Sequence, residues 1–178
     1  MIEHLPWIGP LYNTQGIVGQ QIGILGYSAW TENDHAGYTI ESISNVVSGE
    51  WPKVQFFNAI PNYFNWDRTD FYNRVAFLEF VPCSIGGGSE RYAVATPEQA
   101  AVGRQRVLRI IQEHSIDKLF VFSAKAWGAV AEIPGLIVEE RKPLGDTKFQ
   151  FARCKVGDRT MIMIGLRHPQ YAPGRIMR

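Results

Sequence analysis

His168 is the residue best placed for chemistry. It follows the apolar run Thr160 to Gly165 and precedes Pro169, which biases it toward an extended backbone. A histidine held in a loop beyond a strand can donate a hydrogen bond to a developing negative charge. Ser123 and Lys125 sit at the end of a second apolar run, where a following helix N-terminus would help to hold a phosphate, and Arg167 adds a cation beside His168. A third loop, Gly26-Tyr27-Ser28-Ala29-Trp30, follows Ile24-Leu25. Trp30 and Tyr38 flank it and offer faces on which a nucleobase stacks. The other aromatics of the first half read as core. Asp34, with Glu32 and Asn33, brings carboxylates close to this loop, although these residue types also suit caps and turns. Gly86-Gly87-Gly88-Ser89 reads as a flexible connection. His35 reads as an exposed loop residue, His114 as a helix end, and His4 carries no signal. The chain holds no Gly-x-Ser-x-Gly, Walker loop, dinucleotide fingerprint or His-Glu-x-x-His.

The elements that must position these residues alternate. Gly19 to Gly26 predicts a buried strand ending in a glycine turn. Tyr38 to Val47 has helical spacing, with Thr39 as its cap, and Lys53 to Phe64 a second helical stretch that Pro61 interrupts or ends. Val75 to Val81 is apolar throughout except Glu79, as a strand covered on both faces would be. Thr96-Pro97-Glu98-Gln99 is a helix start that runs to about His114. Lys118 to Ser123 is the next strand and Ala124 to Val130 a short helix. Leu136 to Glu140, Phe149 to Lys155 and Thr160 to Gly165 read as strands, with a hairpin turn at 156–159. This alternation predicts an α/β domain with a mainly parallel sheet, whose ligand binds beyond the carboxyl ends of its strands. The three loops above fall there.

Composition bounds the rest. The chain has 178 residues, 46% hydrophobic and 20% charged, which suits a single domain spanning 1–178. It shows no apolar run long enough to span a membrane and no secretory signal pattern, so no membrane partner and a cytoplasmic setting are expected. Cys83 and Cys154 lack metal or redox spacing, and no metal or cofactor is expected. The net charge of +1 hides an asymmetry: residues 1–140 hold nine Lys/Arg against fifteen Asp/Glu, and residues 141–178 nine Lys/Arg against two Asp. One basic region suited to a polyanion follows, or else a solvated basic hairpin.

Four segments in order carry a resemblance. Ile24-Leu25-Gly26-Tyr27-Ser28 resembles the first motif of the uracil-DNA-glycosylase superfamily. The strand Phe77 to Val81 with Thr96-Pro97-Glu98-Gln99 is similar to its second block, and Leu119 to Trp127 to its strand-to-helix block. His168-Pro169-Gln170 stands where the family has His-Pro-Ser. Within the superfamily the chain looks most like members whose first motif reads Leu-Gly-Glu-Ser-His-Tyr. The resemblance implies a three-layer α/β/α sandwich with a central, mainly parallel four-stranded sheet, acting without metal on a base taken out of the stack.

By motif position, His168 would donate to the leaving base and Asp34 would replace the missing first-motif carboxylate. Gly26, Tyr27, Ser28, Trp30, Tyr38 and Glu79 would hold the base; Ser123, Lys125 and Arg167 would hold phosphate. Tyr27 stands where the family has Glu or Gln, Ala29 where its nearest members have His, and Glu79 where a base-reading Asn is usual. A Glu there suits an amino-bearing base such as cytosine or guanine better than uracil. The implied partner is nucleic acid, single-stranded or damaged DNA above all, or a nucleotide, met by a monomer. The resemblance implies a final helix that wedges into a duplex; with eight residues after Gln170 in this sequence, a single strand is the expected substrate over a duplex. Two functions stay open: a glycosylase, or a binding module that kept the pocket and lost hydrolysis.

Overall fold

Strands of five residues suffice where apolar side chains can be buried on both faces of a sheet. The computed structural model describes residues 2–52, 54–86, 93–144 and 147–169, with backbone alone for 140–144 and 147–149. Gly87, Gly88, Ser89, Gln170 and the basic residues beyond 170 lie outside the described residues. The chain runs β1 (Trp7–Ile8), β2 (Ile22–Gly26), α1 (Tyr38–Ser48), α2 (Gln55–Tyr63), α3 (Arg68–Tyr72), β3 (Val75–Glu79), α4 (Pro97–Glu113), β4 (Lys118–Phe122), α5 (Ala124–Ala131), β5 (Leu136–Leu144), β6 (Thr147–Val156) and β7 (Arg159–Leu166).

All seven strands join one sheet in the order β1-β3-β2-β4-β7-β6-β5. β3, β2, β4 and β7 are mutually parallel. The sheet is therefore α/β in class but not four-stranded. β1 adds an antiparallel edge to β3, and the β5–β6 hairpin adds two antiparallel strands to β7. The turn between β6 and β7 is tight, with Gly157 at φ 60°, and forces that antiparallel return.

Alternation along each strand sends side chains to two cores. Ile22, Ile24, Phe77, Phe120 and Phe122 pack with Ile43 and Val46 of α1, Ile60 and Tyr63 of α2 and Phe71 of α3. Leu25, Leu78, Val121 and Met163 pack with Val107 and Ile110 of α4 and Trp127 and Val130 of α5 on the other face. The helices thus form a layer on each side of the sheet. Two close approaches need glycine: a Cβ on Gly165 would lie 2.4 Å from the Trp127 ring, and one on Gly103 would lie 2.6 Å from the Phe80 carbonyl oxygen.

Local chemistry explains most boundaries. Thr96 and Gln99 form the full capping box at the start of α4, with Pro97 at the first position. Thr39 does not cap α1. The cap is Gly37, and Thr39 lies inside the first turn with its side chain buried, because a tertiary partner engages its hydroxyl. Pro61 lies within the last turn of α2. β1 and α3 were not expected, since two and five residues are too short to show a period. Cys83 and Cys154 are unpaired and buried. Among the described residues no helix is long and apolar enough to cross a membrane.

Candidate functional site

The chain leaves β2 toward α1 on one face of the sheet, and leaves β3 and β4 toward α4 and α5 on the other. Neighbouring strands whose connections diverge in this way open a crevice at their carboxyl ends. A cavity of about 600 Å³ occupies it, within the usual range for small-molecule sites. Its walls come from the loop after β2 (Gly26 to Trp30), the end of β3 (Glu79), the loop after β4 (Ser123 to Lys125) and the loop after β7 (His168). Tyr38 and Ser42 of α1, with Phe56 and Phe57 of α2, close it over the sheet.

One end of the cavity is polar. Glu79 sits in register with Gly26 of β2, whose missing side chain leaves room above the strand. The Glu79 residue is only 5% exposed, and its Oε2 accepts a hydrogen bond from Thr39 Oγ1 at 2.6 Å. Burial pushes its carboxyl pKa up; the Thr39 hydroxyl, His4 and Arg106 oppose that shift. Arg106 is buried in α4 and donates to the carbonyls of Glu79 and His4, so it ties the end of β3 to the N-terminal segment. Ser42 lies three residues beyond Thr39, on the same face of α1. Its hydroxyl is buried with no partner among the described residues.

Another part of the wall is aromatic. The His168 ring lies 5.1 Å from the Phe56 ring, centroid to centroid, and is tilted by 43° to it. Phe57 and Phe77 continue this wall, 5.4 Å apart. Burial lowers the His168 pKa, which keeps the imidazole neutral near pH 7. A neutral imidazole donates one N–H and accepts at the other nitrogen. Tyr38 packs between two histidines, 5.5 Å from His4 and 6.1 Å from His35. Trp30 is 38% exposed and lines the same cavity.

Ser123 and Lys125 also reach the cavity. Ser123 has φ 136° and ψ 154°, a conformation nearly restricted to glycine that costs about 1–3 kcal/mol. Its hydroxyl accepts from the Ala126 amide and so caps α5. Strain of this kind, held at a strand-to-helix turn on a cavity wall, is typical of positions that serve a site. Lys125 Nζ lies 5.7 Å from the centre of the Tyr27 ring, a cation–π distance. The Tyr27 hydroxyl in turn accepts from the Ala95 amide, which fastens the segment before α4 to the loop after β2.

Two expected site residues lie elsewhere. Asp34 does not line the cavity: its Oδ1 accepts from His4 Nε2 at 2.6 Å and from the Ser84 amide at 3.0 Å. Those bonds make it a clasp between three segments. Arg167 is exposed and does not line the cavity either. His35 pairs with Glu41 at the surface. Gly26, Tyr27, Ser28, Trp30, Tyr38, Glu79, Ser123, Lys125 and His168 are brought together. Sequence reasoning missed His4, Thr39, Ser42, Phe56 and Arg106. Thr39 and Ser42 share the helical spacing of α1, which was a usable signal. His4 and Arg106 gave none, because their partners are about 30 to 100 positions away in the chain. No group of three or more His, Cys, Asp or Glu among the described residues is placed to hold a metal. No protein-family model matches the chain, and no curated protein matches it.

Proposed function

We propose that the cavity takes a nucleobase from single-stranded or damaged nucleic acid, or from a nucleotide, and that the chain hydrolyses its N-glycosidic bond as a glycosylase-like enzyme on a uracil-DNA-glycosylase-like fold. The observation that carries this reading is His168 and Glu79 lining one cavity between aromatic rings, at the carboxyl ends of parallel strands. The base stacks on the aromatic wall while Glu79 meets its hydrogen-bonding edge. The bond between the sugar carbon and the base nitrogen breaks with its electron pair on the base, and His168 donates its N–H to the negative charge that develops. Water adds to the sugar carbon, and the proton it loses passes to the departing base anion, which leaves as the neutral base. Neutral His168 suits this role, since it donates without carrying a charge into a half-buried site.

Register supports a polymeric substrate. Gln150 of β6 pairs with Gly165, one residue before the end of β7, so residues 147 and 148 and their β5 partners run past the carboxyl end of the parallel sheet. Two residues of strand project about 7 Å. Lys148 falls on that projection and Lys142 at its base, at the cavity end of the molecule. Phosphate contacts by such residues dominate nucleic-acid affinity.

A specific observation favours a second reading, a binding module without hydrolysis. Glu79 is the carboxylate among the described residues that line the cavity; Asp34 is engaged with His4 and Ser84, and the Tyr27 hydroxyl with Ala95. A base-release assay on single-stranded oligonucleotides carrying uracil, hypoxanthine, xanthine or alkylated bases separates the two. Hydrolysis predicts abasic sites with the native chain and a rate lower by about 10²–10³-fold with His168→Ala. Salt-sensitive binding with no release on any base selects the binding module. Neither release nor binding rejects both.

A further inference from the structure

We propose that the polar end of this cavity reads a guanine-type edge, with the Glu79 carboxylate accepting two adjacent N–H groups and Ser42 donating to the neighbouring carbonyl oxygen. The inference rests on the nucleobase reading above and names the base. An ionised carboxylate offers acceptors only. The uracil edge presents carbonyl, N–H and carbonyl in turn, so a carboxylate that takes the N–H faces a carbonyl oxygen with its other atom. The cytosine edge presents one amino group beside two acceptors and meets the same conflict. The guanine edge presents a carbonyl followed by two N–H donors, and a carboxylate matches the pair of donors with two parallel bonds.

The surroundings of Glu79 support this arrangement. Thr39 Oγ1 holds Oε2 at 2.6 Å and still leaves that oxygen a second lone pair. Burial raises the Glu79 pKa, and Thr39, His4 and Arg106 oppose that shift in favour of the ionised carboxyl, which alkaline pH also promotes. The Ser42 hydroxyl, 3% exposed as a residue and without a partner among the described residues, lies along the same helix face at the cavity wall. A buried hydroxyl is normally satisfied, and the guanine carbonyl oxygen is the acceptor that satisfies this one while Glu79 is engaged. Gly26, beside Glu79 on the neighbouring strand, adds no side chain to this corner; a Cβ there would stand 3.7 Å from the Phe56 and Phe77 rings.

Equilibrium binding of dGMP, dIMP, dUMP and dCMP at pH 8, read by tryptophan fluorescence, tests the inference. dGMP is expected to bind best. dIMP lacks one N–H and should bind about tenfold more weakly, the usual loss for a missing bond to a charged partner. Glu79→Gln, which replaces an acceptor by a donor, should reverse the preference toward dUMP; Ser42→Ala should weaken dGMP and dIMP alike, by about threefold. Nucleotides that bind with dGMP and dIMP equal, or a preference unmoved by Glu79→Gln, would overturn the guanine assignment and leave the base pocket standing. No binding of any nucleotide would overturn the pocket reading and this inference with it. The nucleotide panel on the native chain decides the matter even if a variant fails to fold.

Discussion

The parallel half of the sheet and its antiparallel wing obey different rules. β2 and β3 are buried at every position, and each ends at the cavity. β5 and β6 are nine and ten residues long, and Ile137 and Val138 on β5 are 68% and 48% exposed. Cost explains the contrast. A charge in the parallel half must be hydrogen-bonded or paired, so Glu79 and Arg106 come with partners from α1, β3 and the N-terminal segment. Among the described residues, charges on the wing reach solvent. Arg153 and Arg159 meet Glu139 and Asp117 while more than half exposed, and such pairs contribute little. Function that needs a defined geometry belongs in the first region, and function that needs only charge belongs in the second.

The largest test of this contrast is Arg106→Ala. It removes a buried guanidinium that serves two carbonyls and lies close to Glu79, and should destabilise the fold by about 3–5 kcal/mol in urea unfolding. A loss below about 1 kcal/mol would place Arg106 with the surface charges of the wing and erase the distinction.

Glu79→Gln should have a smaller effect of opposite sign. Burial raises the Glu79 pKa in the fold, so the native state holds its proton more tightly than the unfolded chain. Stability therefore falls as pH rises from the ordinary carboxylate range through the raised value, and above that window the penalty is constant. Glutamine does not titrate. The variant should melt about 2–4 °C higher at pH 8, and the difference should vanish below about pH 4. A gain that is the same at both pH values would show that Glu79 ionises as freely as an exposed carboxylate.

The wing sharpens the comparison from the other side. Lys142→Glu and Lys148→Glu together should change stability by no more than about 0.5 kcal/mol. The salt dependence of single-strand binding should nevertheless become shallower, by roughly 0.7 in slope for each phosphate that is no longer neutralised. A marked loss of stability would mean that the wing is packed as tightly as the parallel half, and an unchanged salt slope would remove the projection from the interface.

The same physics decided what was legible. β2, β3 and β4 were visible because strands buried on both faces must be apolar throughout, and the start of α4 because a capping box is local. The three loops at the strand ends followed from those strands, and most of the expected site residues lie in or beside them. The seven-stranded width was not legible, since β1 has two residues and the pairing of the β5–β6 hairpin with β7 is set by strand direction. Asp34 illustrates the remaining limit. Its residue type and its closeness to the first loop suited a catalytic carboxylate, but His4 and Ser84 engage it, and neither lies near it in sequence.

The sequence by itself determined the six longer strands to within a few residues and which chemically capable side chains stand near their carboxyl ends, because periodicity, caps and turns are local. The tertiary structure alone decided that Glu79, Thr39 and Ser42 form one polar corner, that Arg106 and His4 back it, and that Phe56 faces His168. The contacts that join these elements link residues far apart in the chain, from 27 positions for Arg106 and Glu79 to 112 for Phe56 and His168, and their free energy exists only once the two helix layers have closed over the sheet.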